Sequence, residues 1–212
     1  MEHDDRSTNG TNGTAAPDGH AADGRVARGQ RNRAALVAAF LDLVAAGHQR
    51  VTGQQVAESA GVSVRTVWTH FADLEALYDA ASRELWRRYQ EGRTLVAADL
   101  DLPTRVDRFA ARRAAENEEI APFARTAALA EPFSPALRAS RARFVGAVRD
   151  DVLRLFGAEL AGAPDRTSAV LAAATYPAWS TLRDDLGLDT DDARAALTAT
   201  LRALLDPGTP AS

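Results

Sequence analysis

Two signals for the start of a short helix sit on either side of one glycine. Thr52 with Gln55 three residues later has the form of a capping box, and Ser63 follows Gly61 by two residues. Between them, Gly61 stands where the chain must bend, a place where a positive φ costs a glycine little. The spacing predicts a helix from Thr52, a tight turn, and a second short helix from Ser63 to about His70. Ala57 is small where a second helix has to approach closely. At about 100° per residue, Val64, Val67, Trp68 and Phe71 share one face of the second helix, and Arg65, Thr66, Thr69 and His70 share the other. The apolar face, Trp68 included, is expected to pack on Val56, Val62 and the preceding helix. The polar face is left outward.

The rest of the chain carries the same period. Leu36, Val37, Phe40, Leu41 and Val44 recur at helical spacing before Gly47. Asp73 opens a long segment with Leu77, Tyr78, Ala81, Leu85 and Tyr89 on one stripe. Val145, Val148, Val152, Leu155 and Phe156 form another. Thr190, Asp191 and Asp192 make an acidic start for a last helix bearing Leu197, Leu201, Leu204 and Leu205. Pro103 and Pro122 are read as punctuators that open one helix and close the one before. Alternating β-branched patterns are absent, so the expected class is all-α. From Glu2 to Gly24 there is no Val, Leu, Ile, Phe, Tyr or Trp, and residues 1–24 are read as a disordered acidic tail. Residues 207–212 are read as a flexible C-terminus.

Composition excludes several chemistries. The 212 residues contain no cysteine, four histidines and no lysine, so all 25 basic residues are arginine. That leaves no thiolate zinc site, no P-loop lysine and no Schiff base, and neither a metal nor a cofactor is expected. No apolar run approaches a membrane span and the N-terminus is not a signal peptide. The chain therefore reads as soluble and cytoplasmic. A net charge of −4 hides a local excess: residues 25–50 hold Arg25, Arg28, Arg31, Arg33 and Arg50 against Asp42 alone. Phosphate attraction follows such local potential over a Debye length of about 10 Å.

A helix pair of this kind can enter the major groove of double-stranded DNA with the second helix leading. Arg65 can pair with guanine, Thr66 can touch a base edge, and Val64 lies at the same leading end. Thr52, Ser63, Trp68 (through its indole N–H), Thr69 and His70 suit phosphate oxygens. Two rivals stand beside this reading. One is a helical module that binds protein instead of DNA. The other is a small all-α enzyme built on Glu116, Glu118 and Glu119, although a solvated helix face explains those residues better.

Residues 33–77 resemble the TetR family of transcriptional regulators, through Val-Ala-Glu-Ser-Ala-Gly-Val-Ser at 56–63, the aromatic Trp68, His70-Phe71 and Leu77. The stretch from Tyr176 to Gly187, followed by Asp191 to Leu197, is similar to the family's C-terminal end. The resemblance implies a three-helix DNA-binding domain at residues 25–72 and a helical effector-binding and dimerisation domain at 73–206. It implies a homodimer on a palindromic operator and a repressor released by a small molecule. Candidate pocket residues are Trp86, Tyr89, Phe109, Phe123 and Phe144, joined by Arg112, Arg113 and Arg125. Candidate dimer contacts are Leu171, Trp179, Leu182, Leu197 and Leu201. Trp68 and Leu74 replace the tyrosine and lysine usual in similar proteins. Pro177 falls inside an expected helix and should kink it.

Overall fold

A computed structural model describes residues 19–206, with side chains from residue 26. Among these residues there are helices and turns but no strand, as the periodicity predicts. The helices are α1 (Gly19–Ala45), α2 (Gly53–Ser59), α3 (Val64–His70), α4 (Leu74–Gly92), α5 (Leu102–Ala128), α6 (Pro135–Phe156), α7 (Pro164–Ala174), α8 (Tyr176–Ser180) and α9 (Thr190–Leu205). None is long and apolar enough to cross a membrane. The reading of residues 1–18 and 207–212 lies outside the described residues. Helix α1, however, already begins at Gly19, inside the stretch read as a tail. Extending an established helix adds one hydrogen bond per residue, and Ala21 and Ala22 are good helix formers.

Starts are set by side-chain caps. Thr52, Ser63, Asp73, Asp101, Ser134 and Asp189 each accept a backbone N–H from the first turn that follows. The cap of α9 is thus Asp189, one residue ahead of Thr190. Two groups of buried side chains form the core. The first joins Leu36, Phe40 and Val44 of α1 to Val56, Val67, Phe71 and the α4 residues Leu77, Tyr78 and Ala81. Phe40 meets Tyr78 edge to face at 4.9 Å between ring centres. The second joins Val106 and Phe109 of α5 to Val152, Leu155 and Phe156 of α6, Val170 of α7, Trp179 of α8 and Leu197 and Leu201 of α9. Helix α5, about 40 Å long at 1.5 Å per residue, belongs to both groups, because Ala127 near its far end packs in the first. Packing is therefore continuous across residue 72.

Pro122 does not end a helix. It lies within α5, which runs on to Ala128. An internal proline loses a backbone donor at a cost of about 3 kcal/mol, and the tertiary burial of Ala121, Thr126 and Ala127 around it offsets that cost. Thr126 donates its hydroxyl to the Pro122 carbonyl at 3.1 Å. Pro177 departs from expectation the other way. Rather than kinking a continuous helix, it sits in the first turn of α8, behind a break at Thr175, whose φ of −90° and ψ of 160° are extended. Arg113 of α5 donates its Nε–H to the Ala174 carbonyl at 3.0 Å, capping the interrupted end of α7. Val145, expected on the buried stripe of α6, is exposed.

One ion cluster ties the connection between α4 and α5 to α6. Asp151 is buried on α6 and pairs with Arg93 and Arg112 at 2.5 Å and with Arg154 at 3.4 Å. Burial pushes its carboxyl upward, but the Arg93 hydrogen bond and the surrounding guanidinium charges outweigh burial. The carboxyl is held below the ordinary aspartate value of 3.8. A carboxylate depressed on folding stabilises above its unfolded value and loses that contribution as pH falls through the folded one. Asp151→Asn should therefore cost about 3–5 kcal/mol near neutral pH. Thermal melts from pH 6 downward should show the gap to the parent protein closing below about pH 4.

Candidate functional site

Helices α2 and α3 are seven residues each, and both are held by what the sequence places around them. Thr52 accepts the Gln55 backbone N–H while its own backbone N–H donates to the Gln55 side chain at 2.9 Å, completing the capping box. Gly61 has a φ of +66°, the left-handed turn expected there. Ser63 accepts the Thr66 N–H at 3.1 Å. Val67 and Phe71 are fully buried, with Val64 half-buried beside them. The far end of α3 is fastened from α1: the Arg33 guanidinium lies 4.1 Å from the centre of the Phe71 ring and donates to the His70 carbonyl. The sequence reading missed this clasp. It joins residues far apart in the chain, and nothing local marks Arg33 apart from its neighbours.

One member of the expected apolar face, and one residue it was expected to pack on, are elsewhere. Val62 is exposed, and Trp68 is 40% exposed. A helix of about two turns buries a strip wide enough for Val67 and Phe71 but not for their neighbour at the strip's edge. Trp68 instead lies over the start of α2, where Gly53 leaves room: a Cβ on Gly53 would overlap the six-membered ring of the indole. The reason for Gly53 is thus close approach, a signal readable only once the position of Trp68 is known. Gly53→Ala is expected to displace the indole, shift the tryptophan emission and cost about 1–3 kcal/mol. Combining it with Trp68→Ala should recover most of that loss in a denaturation midpoint.

The outward surface holds Thr52, Ser63, Arg65, Trp68 and Thr69 exposed and Thr66 and His70 half-buried, all on the N-terminus of α2 and along α3. Arg65 makes no ion pair or side-chain hydrogen bond with any described residue. The hydroxyls are engaged locally: Thr52 donates to Gln55 at 3.1 Å, Thr69 to the Arg65 carbonyl at 2.9 Å, and the Ser63 and Thr66 hydroxyls share a hydrogen bond at 2.9 Å. Thr52 and Thr69 must rotate to donate to an outside oxygen, and the Ser63–Thr66 bond takes up one of that pair's two protons, whereas the Arg65 guanidinium is engaged by no described residue.

A second feature is a cavity of about 300 Å³ between α4, α5, α6 and α8. Of the expected pocket residues, Phe123 and Phe144 line it, beside Leu85, Ile120, Tyr176 and Pro177, which the sequence reading did not select. Trp86 stacks on Tyr89 and meets Phe144 edge-on at 5.1 Å. Phe109 is a correction: it is fully buried against Phe156 in the second core. The arginines are only partly placed as expected. Arg113 borders a smaller cavity next to this one, Arg112 pairs with Asp151, and Arg125 pairs with Asp184 at 2.7 Å.

Nor do the carboxylates of α5 form one solvated face. Glu116 pairs with Arg113 and Arg112, and Glu118 accepts from the Trp179 indole at 2.8 Å and from Arg183 at 2.7 Å. Among the described residues no cluster of His, Asp and Glu is arranged to hold a metal ion.

The residues expected at a dimer contact differ in burial within the chain. Trp179, Leu197 and Leu201 are buried in the chain's own second core, and Leu171 and Leu182 are half-buried against it. Their helical spacing marked an apolar stripe correctly, but an apolar stripe does not distinguish an internal partner helix from an external one. The outward side of α9 carries Ala195, Ala199 and Arg202 instead.

No protein-family model matches the chain, and no curated protein matches it in sequence. Among solved structures, a transcriptional regulator from Rhodococcus sp. Rha1 is similar, with a TM-score of 0.57 and 19% sequence identity over 86% of this chain and 99% of that one. The chain thus shares its all-helical fold with that regulator over nearly the whole of the latter's length.

Proposed function

We propose that this chain is a TetR-like, sequence-specific DNA-binding regulator of transcription and not an enzyme. It works as a homodimer and represses until a small-molecule effector releases it. The observation that carries the reading is α3: a short capped helix anchored through Val67 and Phe71, with an uncommitted arginine at its leading end and hydroxyls along its outer face. The fold shared with a transcriptional regulator supports it. In this reading residues 25–72 bind DNA, and residues 73–206 bind the effector and the second copy.

Arg65 and Thr66, with Val64 beside them, meet base edges in the major groove. Thr52, Ser63, Thr69, His70 and the Trp68 indole meet phosphates and set register. A two-fold pair spaces its leading helices roughly 34 Å apart, one DNA turn, so the operator is palindromic. Since the leucines of α9 face inward, the second copy packs on the side bearing Ala195 and Ala199. The effector occupies the cavity beside Phe123 and Phe144, and it opposes DNA binding by preferring a different spacing of the two halves.

Sequencing of random duplexes selected by the purified protein should return an inverted repeat with half-sites one turn apart. Binding to that repeat should fall steeply with salt as counterions are released. An absence of enriched sequence at low salt would defeat the proposal, and salt-insensitive capture of a protein would favour the protein-binding module. On the selected site, Arg65→Ala should reduce discrimination at one base pair by about 1–3 kcal/mol. An equal loss on specific and random duplexes would make Arg65 a phosphate contact instead.

A further inference from the structure

Helix α1 outruns the core it serves. Its first buried side chain is Leu36, and from Val26 to Ala35 every residue is exposed or half-buried. Gly19–Ala35 thus adds about 25 Å of helix with no buried face, and Gly24 and Gly29 within it are poor helix formers. Burial does not account for this extension.

What it carries is charge. Residues 19–35 hold Arg25, Arg28, Arg31 and Arg33 against Asp23 alone. Glu2, Asp4, Asp5 and Asp18 precede it, against Arg6, and lie outside the described residues. Helix α4, which faces α1 across a groove bordered by Gln30 and Arg33, pairs Arg83, Arg87 and Arg88 with Asp79, Glu84 and Glu91 and adds no net charge. Arg33 faces inward, on the Phe71 ring and the His70 carbonyl. Arg28 and Arg31, about 60° apart around the helix, lie on the side away from Leu36, Phe40 and Val44. Both are exposed, and neither makes an ion pair or hydrogen bond with any described residue. The Arg33 clasp also locates the extension, which leaves the core at the trailing end of α3. From there Gly19–Asn32 reaches about 21 Å, farther than the roughly 12 Å width of a major groove. Duplex DNA presents one negative charge per about 1.7 Å of its axis along such a path.

We propose that residues 19–33 are a second DNA contact, an arm that lies along the sugar–phosphate backbone bordering the groove α3 enters, with Arg28 and Arg31 on phosphates. Recognition is then divided. Helix α3 chooses the sequence, and α1 adds hold on any sequence through charge alone. The inference rests on the DNA-binding reading and extends it to residues outside the helix pair.

The test uses the full chain and two duplexes of equal length, the selected inverted repeat and a random sequence. Arg28→Ala combined with Arg31→Ala should leave the melting temperature unchanged, since both side chains are exposed and alanine sustains a helix. Raising salt from about 50 to 200 mM should weaken this variant about tenfold less than the parent, the share of two phosphate contacts. Its ratio of affinities for the two duplexes should stay that of the parent. The pair Arg28→Lys and Arg31→Lys should keep the parental salt response. So should Arg108→Ala with Arg149→Ala, which removes the same charge from exposed sites on α5 and α6. A parental salt response in the first variant, a loss confined to the inverted repeat, or an equal change in the α5–α6 variant would each overturn the arm. The two ideas fail separately. A parent that binds neither duplex at low salt defeats the regulator reading and the arm with it, whereas a complex indifferent to Arg28 and Arg31 defeats the arm alone.

Discussion

Seven residues cannot hold a helix in water by themselves, because nucleation fixes several dihedrals before the hydrogen bonds compensate. The orientation of α3 therefore depends on the burial of Val67 and Phe71 in a core supplied by α1 and α4. Two full side chains withdrawn from water contribute about 1.5–3 kcal/mol each, comparable to what the caps at Thr52 and Ser63 add together. Arg33 adds direction. By stacking on Phe71 and binding the His70 carbonyl, it fixes the last turn of α3 against α1. The outward residues of α3 inherit a defined position from contacts they do not make.

Helix α5 connects this assembly to the remainder. Its first half packs with α6 and α9, and its end packs near α1, so a displacement at either end is carried along one rigid element. The main cavity lies beside the far half of α5, between Ile120 and Ala128, where the internal Pro122 has already removed one backbone hydrogen bond. A ligand there would press on the helix at its weakest turn. That placement gives the proposed effector a physical route to the α2–α3 unit.

Much of this was legible in the residues alone. Caps and the Gly61 turn depend on contacts three or four positions apart, and Asp73, Ser63 and Thr52 behave as their neighbours dictate. The stripes of α1 and α4 are buried as their spacing implies. What could not be read is non-local. Trp68 and Val145 follow the period of their helices yet face solvent, because a helix buries only as wide a strip as its partner covers, and Val62 in the turn before α3 is left outside as well. Leu197 and Leu201 carry the right pattern for an interface of either kind. Pro122 and Pro177 are the same residue in similar local company, and only the packing around them separates continuation from interruption. The cavity likewise joins Leu85, Ile120 and Tyr176 from three helices, a juxtaposition with no sequence signature.

The interruption at Thr175 binds two distant positions to a common fate. Pro177 keeps α7 and α8 apart, which leaves the Ala174 carbonyl in need of a donor, and Arg113 supplies it from another helix. A descendant that exchanged Pro177 for a residue with an N–H could fuse the two helices and reclaim that carbonyl, leaving the Arg113 Nε–H without an acceptor in the interior while its other nitrogens keep Glu116 and Asn117. Drift at one position is thereby restrained by the other, and the pair should be inherited or lost together.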